Sequence, residues 1–565
     1  MASLIRNSSL TDRSITGTLF AAVLTSVSPV IATLVDGIFV SNLVSGEAFA
    51  AISLVLPVVR IVTVFMLICH MGANILASRA IGRGDTHHAR EQYTVAMVSS
   101  LAVGVLSCIL IYSFIGPFSR ALCADAAITP LIGSYLGIMA FNFPFVAISS
   151  TLNFFISGEG YPGRTSRVVM ISSASNILFD WIFISVLGLG IAGAAWGTLL
   201  STVLNVILHL PFMLSGRSRY KFVRTGKDFS PVLRASLTQG FAFNIINITL
   251  NLFLIFANSL MERKLGVGSY YQWAICIQIQ MFLICVCSGS VSGAVYLGNT
   301  LMGEGDARGV SYVINRLLVF HVIFYAAFVV LMTAFPGVFA AIFGIRAAGT
   351  AAACRFPFFC FSLYFMGYCF VCAYTNVFQL MGYVREKIFF IVLFSAVVAL
   401  CIWCGSAISN TWMWAGLPAG AVIAVSASLL FAYSKHSRNK ALTPLTLQYR
   451  RPHSVRISCS AGYDEESAAI LSEKISRFAE ICELDPESAG RLLECCNSMI
   501  GNIRQNRPDG RRASFDFKMS WGPEGIRVTA KNAGIPKNPA ENLGINADYR
   551  YGYSMNITGF TWPLS

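Results

Sequence analysis

Twelve apolar runs dominate the chain, each long enough to cross a bilayer, which takes about 20 residues of helix. Six lie near 15–41, 49–78, 92–116, 131–157, 168–188 and 192–214, and six near 239–260, 270–298, 314–343, 353–382, 388–407 and 413–434. Few folds are open to such a sequence. Backbone N–H and C=O groups in lipid must be satisfied within each segment, so the runs are expected to be helices. Only 12% of the 565 residues are charged, against about 25% in soluble proteins.

The two sets of six are related. Gly72, Ala73, Gly82, Gly84 and Asp85 match Gly293, Ala294, Gly303, Gly305 and Asp306 at a constant offset of 221, without a gap. Each G-x-G-D stands where an apolar run gives way to a polar turn. An echo at that period means two similar halves rather than a short-repeat solenoid. Six spans per half give both halves one orientation, so they are parallel repeats about an axis along the membrane normal, with a substrate site between them.

Charge divides the chain again. Up to Pro444 there are 26 Lys+Arg against 13 Asp+Glu, and from Leu445 onward 15 against 14. Loops and flanks on the side of the termini hold 20 basic residues, the other side five. Loop charge therefore explains the basic excess without nucleic acid, and it predicts a multi-pass cell-membrane protein with both termini cytoplasmic. No cleavable signal peptide is evident. The expected organisation is a six-helix lobe (1–214), a cytoplasmic inter-lobe loop (215–238), a second six-helix lobe (239–434), a basic linker (435–454) and a small α+β domain (455–565). In that last domain strands are expected at 455–460, 514–520 and 526–531, and helices at 464–482 and 486–503. The cysteines, including the Cys369/Cys372 and Cys401/Cys404 pairs, read as small apolar filler rather than metal or disulfide chemistry.

Of the acids before Pro444, only Asp36 and Asp180 fall well inside spans. A carboxylate there costs about 2.5–3.5 kcal/mol on insertion scales, which makes each a functional candidate. Asn176 shares a helix face with Asp180. Asp36, Asp180 and Thr198 all sit at a depth of ~9–12 Å from the outer surface at 1.5 Å per residue. Two carboxylates, an amide and a hydroxyl at one level can form an oxygen cage for Na⁺ or a proton relay, or they can be polar packing between helices. Arg60, near mid-membrane after Pro57, can pair with Asp36 or Asp180 or face a substrate. Asn244, Asn247, Asn251 and Asn258 fall within a 60° arc at 100° per residue, facing a cleft or another helix. His70, His209 and His321 read as packing residues.

Taken together, VDGIFVSNLVSGEAFAAISLVLP, the two G-x-G-D turns, NILFDWIFI and GLGIAGAAWGT resemble the multidrug and toxic compound extrusion (MATE) family over residues 10–435. The resemblance implies two six-helix lobes around a V-shaped cleft. It implies export of small organic molecules driven by Na⁺ or H⁺ entry, without cofactor or enzymatic chemistry. It is to the DinF-like branch, whose ion ligands match Asp36, Asn176, Asp180 and Thr198, with Asp36 and Asp180 the carboxylates for Na⁺. Arg60 is not part of that pattern. Two other readings stay open. One is a flippase for a lipid-linked substrate, and the other a sensor signalling through the tail.

The tail resembles the ATP-binding domain of anti-sigma-factor-type (GHKL) kinases, through RLLECCNSMIGNI, AKNAGIPKNP and YRYGYSMNITGF. Glu494 and Gly534 fit that pattern. Ser498 stands where Asn belongs, Asn532 where Asp would meet the adenine, and Lys537 where an aromatic is usual. The expectation is a nucleotide-free regulatory domain, able to meet a regulatory protein, rather than an active kinase.

Overall fold

The computed structural model describes residues 9–122, 128–216, 218–225, 228–265, 267–342, 349–438, 456–508, 514–522, 525–541, 543, 545, 547–553 and 555–562. All twelve runs are helices long and apolar enough to span a membrane. The first lobe comprises α1 (Ser9–Leu43), α2 (Gly46–Arg83), α3 (Thr86–Ser113), the short α4 (Ile115–Leu122), α5 (Ile128–Gly158), α6 (Pro162–Asp180) and α7 (Gly190–Leu214). The second comprises α8 (Phe229–Leu265), α9 (Val267–Gly303), α10 (Ala307–Ala334), the short α11 (Pro336–Ile342), α12 (Thr350–Leu380), α13 (Val384–Ile408) and α14 (Asn410–Arg438).

Several helices outrun their apolar windows, because a window registers lipid-facing length and not the polar turns that continue into water. The inter-lobe loop expected at 215–238 thus ends where α8 begins at Phe229. Of the linker expected at 435–454, the first four residues continue α14, and 439–454 lies outside the described residues. Hydropathy did not point to α4 and α11. They start 221 residues apart, at Ile115 and Pro336, and so extend the repeat.

The repeated G-x-G-D turn has one physical account in both places. Gly84 and Gly305 take left-handed conformations, φ 82° and 66°, ending α2 and α9 where a side chain would be strained. The next residue caps the following helix: His88 N–H donates to Asp85 at 2.9 Å and Gly309 N–H to Asp306 at 3.0 Å.

The lobes touch backbone to backbone at the end bearing these turns. A Cβ on Gly82 would lie 2.8 Å from the Gly303 Cα, and one on Gly303 2.8 Å from the Gly82 Cα. Gly72 of α2 and Gly240 of α8 make a second such crossing, and Gly289 of α9 a third against Val23 of α1. Asp12 of α1 pairs with Arg316 of α10 at 2.9 Å at the same end.

The C-terminal domain sits against that end. Its sheet is antiparallel, in the order β1-β2-β3-β5-β4, formed by β1 (Arg456–Gly462), β2 (Ser514–Gly522), β3 (Gly525–Asn532), β4 (Asp548–Gly552) and β5 (Met555–Trp562). Beyond the strands expected from the sequence, β4 and β5 form the end of the sheet, with Tyr553 between them at φ 53°. Helices α15 (Glu465–Ile481) and α16 (Pro486–Gln505) pack on one sheet face through Leu471, Ile475, Leu492, Met499, Phe515, Phe517 and Val528. The register puts Lys518 opposite Thr529 and Asp516 opposite Lys531. Alternation therefore turns these residues and Arg527 to the other face, toward the membrane block.

Gly82→Ala is expected to lower the thermal midpoint in detergent by an overpacking cost of about 1–3 kcal/mol. Gly163→Ala, whose added carbon meets nothing within 4 Å, leaves it unchanged. A second expectation concerns Glu159, just past α5. It accepts from Ser218 Oγ at 2.9 Å and from the Arg219 N–H at 2.5 Å. Burial pushes its carboxyl from 4.5 up to about 7, against the pull of those bonds and the Arg219 guanidinium. The folded protein thus holds this proton more tightly than the unfolded chain does. That stabilisation is complete below pH 4.5 and lost as pH rises through about 7. Melting curves between about pH 5 and 8 should show wild type losing ground to Glu159→Gln, which cannot ionise.

Candidate ion and substrate site

Asp180 is the last residue of α6, and residues 181–186 continue it as one π-helical turn, a distortion that often marks functional positions. Its side chain is fully buried. The seat exists because residue 197 of α7 is glycine: a Cβ there would fall on Asp180 Oδ1. Asn176, one turn earlier, donates to Asp180 Oδ1 at 3.5 Å. Asp36 is also buried. The two carboxylates are close enough to interact electrostatically, and Tyr135 of α5 interacts with both. Among the described residues, Asp36 Oδ1 and Asp180 Oδ2 are buried without a hydrogen-bond partner. The Thr198 hydroxyl donates to Ala194 O at 3.1 Å, leaving its lone pairs available.

Unsatisfied buried acceptors cost about 1–3 kcal/mol each. Their donor chemistry, carboxylate and neutral oxygen, suits a hard cation or a proton. Among the described residues no group of three or more His, Cys, Asp or Glu could hold a metal ion, so these residues do not make a transition-metal centre.

Beside Asp36, Asn176 and Thr198 opens a cavity of about 440 Å³ between the lobes. Hydroxyls and amides from α1, α5, α6 and α7 line one wall, with Phe243, Asn247, Ser288, Ser292 and Tyr296 opposite. Among the described residues, Asp36 is the one acid on this surface, and no Lys, Arg or His lines it.

The other sequence candidates fare differently. Arg60 is exposed, without an ion pair to Asp36 or Asp180 among the described residues. The asparagine stripe breaks up as well. Asn247 lines the cavity, whereas Asn244 is buried and donates to Gly240 O at 3.0 Å. Asn251 donates to Asn247 O at 2.7 Å, and Asn258 accepts from Trp273 at 2.6 Å, a bond between α8 and α9. A common arc fixes direction, but α9 closes over part of that face. His209 pairs with Asn153 at 2.7 Å and His321 with Leu317 O at 2.8 Å.

In the tail, Glu494 is exposed on α16. Gly534 packs against Asn506, twelve residues or about 18 Å further along the same helix. Asn502 and Asn506 donate to Pro539 O and Ile535 O, both at 2.8 Å, tying the loop onto the helix end. Asn532 is buried and donates to Ala533 O at 3.5 Å. Glu494, Asn532 and Gly534 therefore do not converge on one pocket.

Hydropathy missed the network that closes the lobes. Arg79 of α2 donates to Asn299 Oδ1 at 2.7 Å and to the Gln379 and Leu380 carbonyls at 3.1 Å, all in the second lobe. Fully buried Lys387 donates to Gln379 Oε1 at 2.6 Å and Asn376 Oδ1 at 2.8 Å. In the sequence, Arg79 and Lys387 stand just outside the runs near 49–78 and 388–407. The signal available was that Arg79 falls within the repeated segment. Arg79→Ala removes three inter-lobe bonds of the charged kind, each worth about 1.5–3 kcal/mol. It should lower the melting midpoint and speed amide exchange at the ends of α2 and α9.

Residues 21–182 match the MatE family model. Among curated relatives, the multidrug export protein MepA of Staphylococcus aureus (strain bovine RF122 / ET3-1) is 24% identical over 285 residues, 48% of this chain and 61% of that one. MepA of Staphylococcus haemolyticus is 30% identical over 177 residues, 31% and 38% of the two chains. The chain thus spans about three fifths or less of the length of these relatives. Two solved structures share the fold at TM-score 0.68 and 20% identity. One is a MOP superfamily transporter from Pyrococcus furiosus, described as having a binding pocket of reverse polarity that suggests a different function, covering 76% of this chain and 96% of its own. The other is a multidrug resistance MATE family transporter in an outward-facing conformation, covering 77% and 99%. The first lobe is thus similar in sequence to MatE proteins, and the two lobes share their fold with these solved structures.

Proposed function

We propose that the protein is an antiporter that exports small organic molecules in exchange for Na⁺ or H⁺, by alternating access of its two lobes. The observation that carries this reading is the pair of buried carboxylates with unsatisfied oxygens beside an inter-lobe cavity. Asp36 and Asp180 hold the coupling ion, Asn176 and Thr198 supply neutral oxygens, and Gly197 leaves room for the Asp180 carboxylate. This reading is the one expected of the DinF-like branch. Ion entry neutralises the first lobe, and its differential affinity for two lobe arrangements is what shifts their populations.

The cavity wall indicates the substrate class. One acid, many hydroxyls and amides, and no basic residue favour a cationic or neutral solute. The same surface argues against a flippase for lipid phosphates, which would need positive charge there. The volume is in the range of small-molecule pockets, about 300–1,000 Å³. The basic excess on the tail side orients that side to the cytoplasm.

The test is ethidium efflux from proteoliposomes under an imposed Na⁺ or H⁺ gradient. Asp36→Asn and Asp180→Asn should each cut gradient-driven efflux about tenfold or more, equal to 1.4 kcal/mol or more of coupling. Full gradient-driven transport by Asp180→Asn would refute the coupling role.

A further inference from the structure

We propose that the C-terminal domain is an intramolecular latch that holds the two lobes together at the tail-side end and so restrains the transport cycle. The proposal rests on the alternating-access reading above, because a brake presupposes lobes that must part.

The sheet of this domain has helices on one face only. Its other face carries Asp516, Lys518, Arg527, Thr529 and Lys531, a set suited to water. Yet Lys531 and Asp516 are buried. What buries Lys531 is the membrane block. It pairs with Glu304, and with Asp306 at 3.6 Å, both buried residues of the second G-x-G-D turn. Lys518 Nζ donates to the Glu304 and Gly305 carbonyls, both at 2.9 Å. The same face also reaches the first turn, where Arg527 donates to Arg83 O at 3.0 Å. One rigid sheet thus grips the equivalent turn of each lobe.

Tyr553 makes a second bridge. It stands at the tip between β4 and β5 with φ 53°, a conformation costly for a tyrosine. Its N–H donates to Gly160 O at 2.6 Å and its hydroxyl to Gly158 O at 3.2 Å, at the end of α5. Its carbonyl accepts from Ser14 of α1 at 3.0 Å, and its hydroxyl lies 3.5 Å from Thr300 of α9. The buried ring therefore contacts both lobes at once. Gly160 permits the approach, since a Cβ there would lie 2.7 Å from the Gly552 Cα. Arg219 of the inter-lobe loop adds an ion pair to Asp548 at 3.3 Å.

Parting the lobes at this end would strip Lys531 from Glu304 or pull Arg527 and Tyr553 off their carbonyls. Gate opening and undocking of the domain are therefore coupled, and whatever draws the domain away favours opening.

The experiment uses the full chain. Lys531→Glu and Tyr553→Ala are compared with wild type and with the charge exchange Glu304→Lys plus Lys531→Glu. Amide exchange is followed in residues 79–85, 300–306 and the tail core strand 514–522, and ethidium transport in proteoliposomes. The latch predicts that both single variants keep strand 514–522 protected, exchange about tenfold faster in the two turns, and transport several-fold faster. The charge exchange restores slow exchange. Unchanged exchange at both turns in both single variants, or faster exchange with slower transport, would overturn the proposal. If no protein moves ethidium, the transport reading fails for that solute, while the exchange data still decide whether the domain holds the gate.

Discussion

Everything at the tail-side end depends on helices meeting without side chains between them. Gly82 against Gly303, and Gly72 against Gly240, bring the lobes to backbone distance. In lipid there is little hydrophobic gain from joining two helices, so close packing of small residues is what association draws on. That contact fixes where the lobes are near, and therefore where the cavity can open. It also brings Arg79 within reach of the Gln379 and Leu380 carbonyls, and it sets the two G-x-G-D turns side by side as a composite platform.

Buried charge is handled in two opposite ways in this molecule. At the seam with the tail, Lys531 is matched by Glu304 and Asp306, and burial and pairing arise together when the domain docks. In the first lobe, Asp36 and Asp180 each keep an oxygen with no hydrogen-bond partner among the described residues. A structural ion pair would have filled those positions, and Arg60 was the residue available in the sequence to do it. Its exposure leaves the two carboxylates without that partner, and the contrast is the physical core of the proposed antiport.

The sequence was legible where one physical constraint acts along the chain. Bilayer thickness sets run length, so twelve spans and two lobes could be read directly. The offset of 221 tied the turns together because left-handed glycines and capping aspartates are locally required. Asp36, Asp180 and Thr198 could be set at one depth because helical rise converts position into depth, whereas the cavity lined by Asp36, Asn176 and Thr198 needed the packing of both lobes. What resisted reading depended on contacts across the fold. The asparagines of α8 share an arc, but whether one faces water or Trp273 is decided by α9. The π turn after Asp180 leaves no composition signal. Glu494 and Gly534 belong to motifs expected to meet, but Gly534 reaches α16 only at its end, at Asn506, because the loop after β3 folds there. Lys531 looks like an ordinary exposed strand lysine until the membrane block covers it.

The repeat makes the docking of the tail a question of symmetry. Two equivalent turns could accept a sheet in two orientations, differing by exchange of the lobes. The turns differ at the residue after the first glycine, Arg83 in one and Glu304 in the other. A buried lysine can settle only where a carboxylate answers it, since leaving one charge unpaired in such a site costs several kcal/mol. The reverse orientation would set Lys531 against Arg83. The Arg83 turn is instead met by Arg527 through a main-chain carbonyl, and Asp548 stands near Gly84, where an acid is compatible with the basic turn. The one position at which the two G-x-G-D turns differ, Arg83 against Glu304, is thus enough to give an asymmetric domain one seat on two pseudo-symmetric lobes.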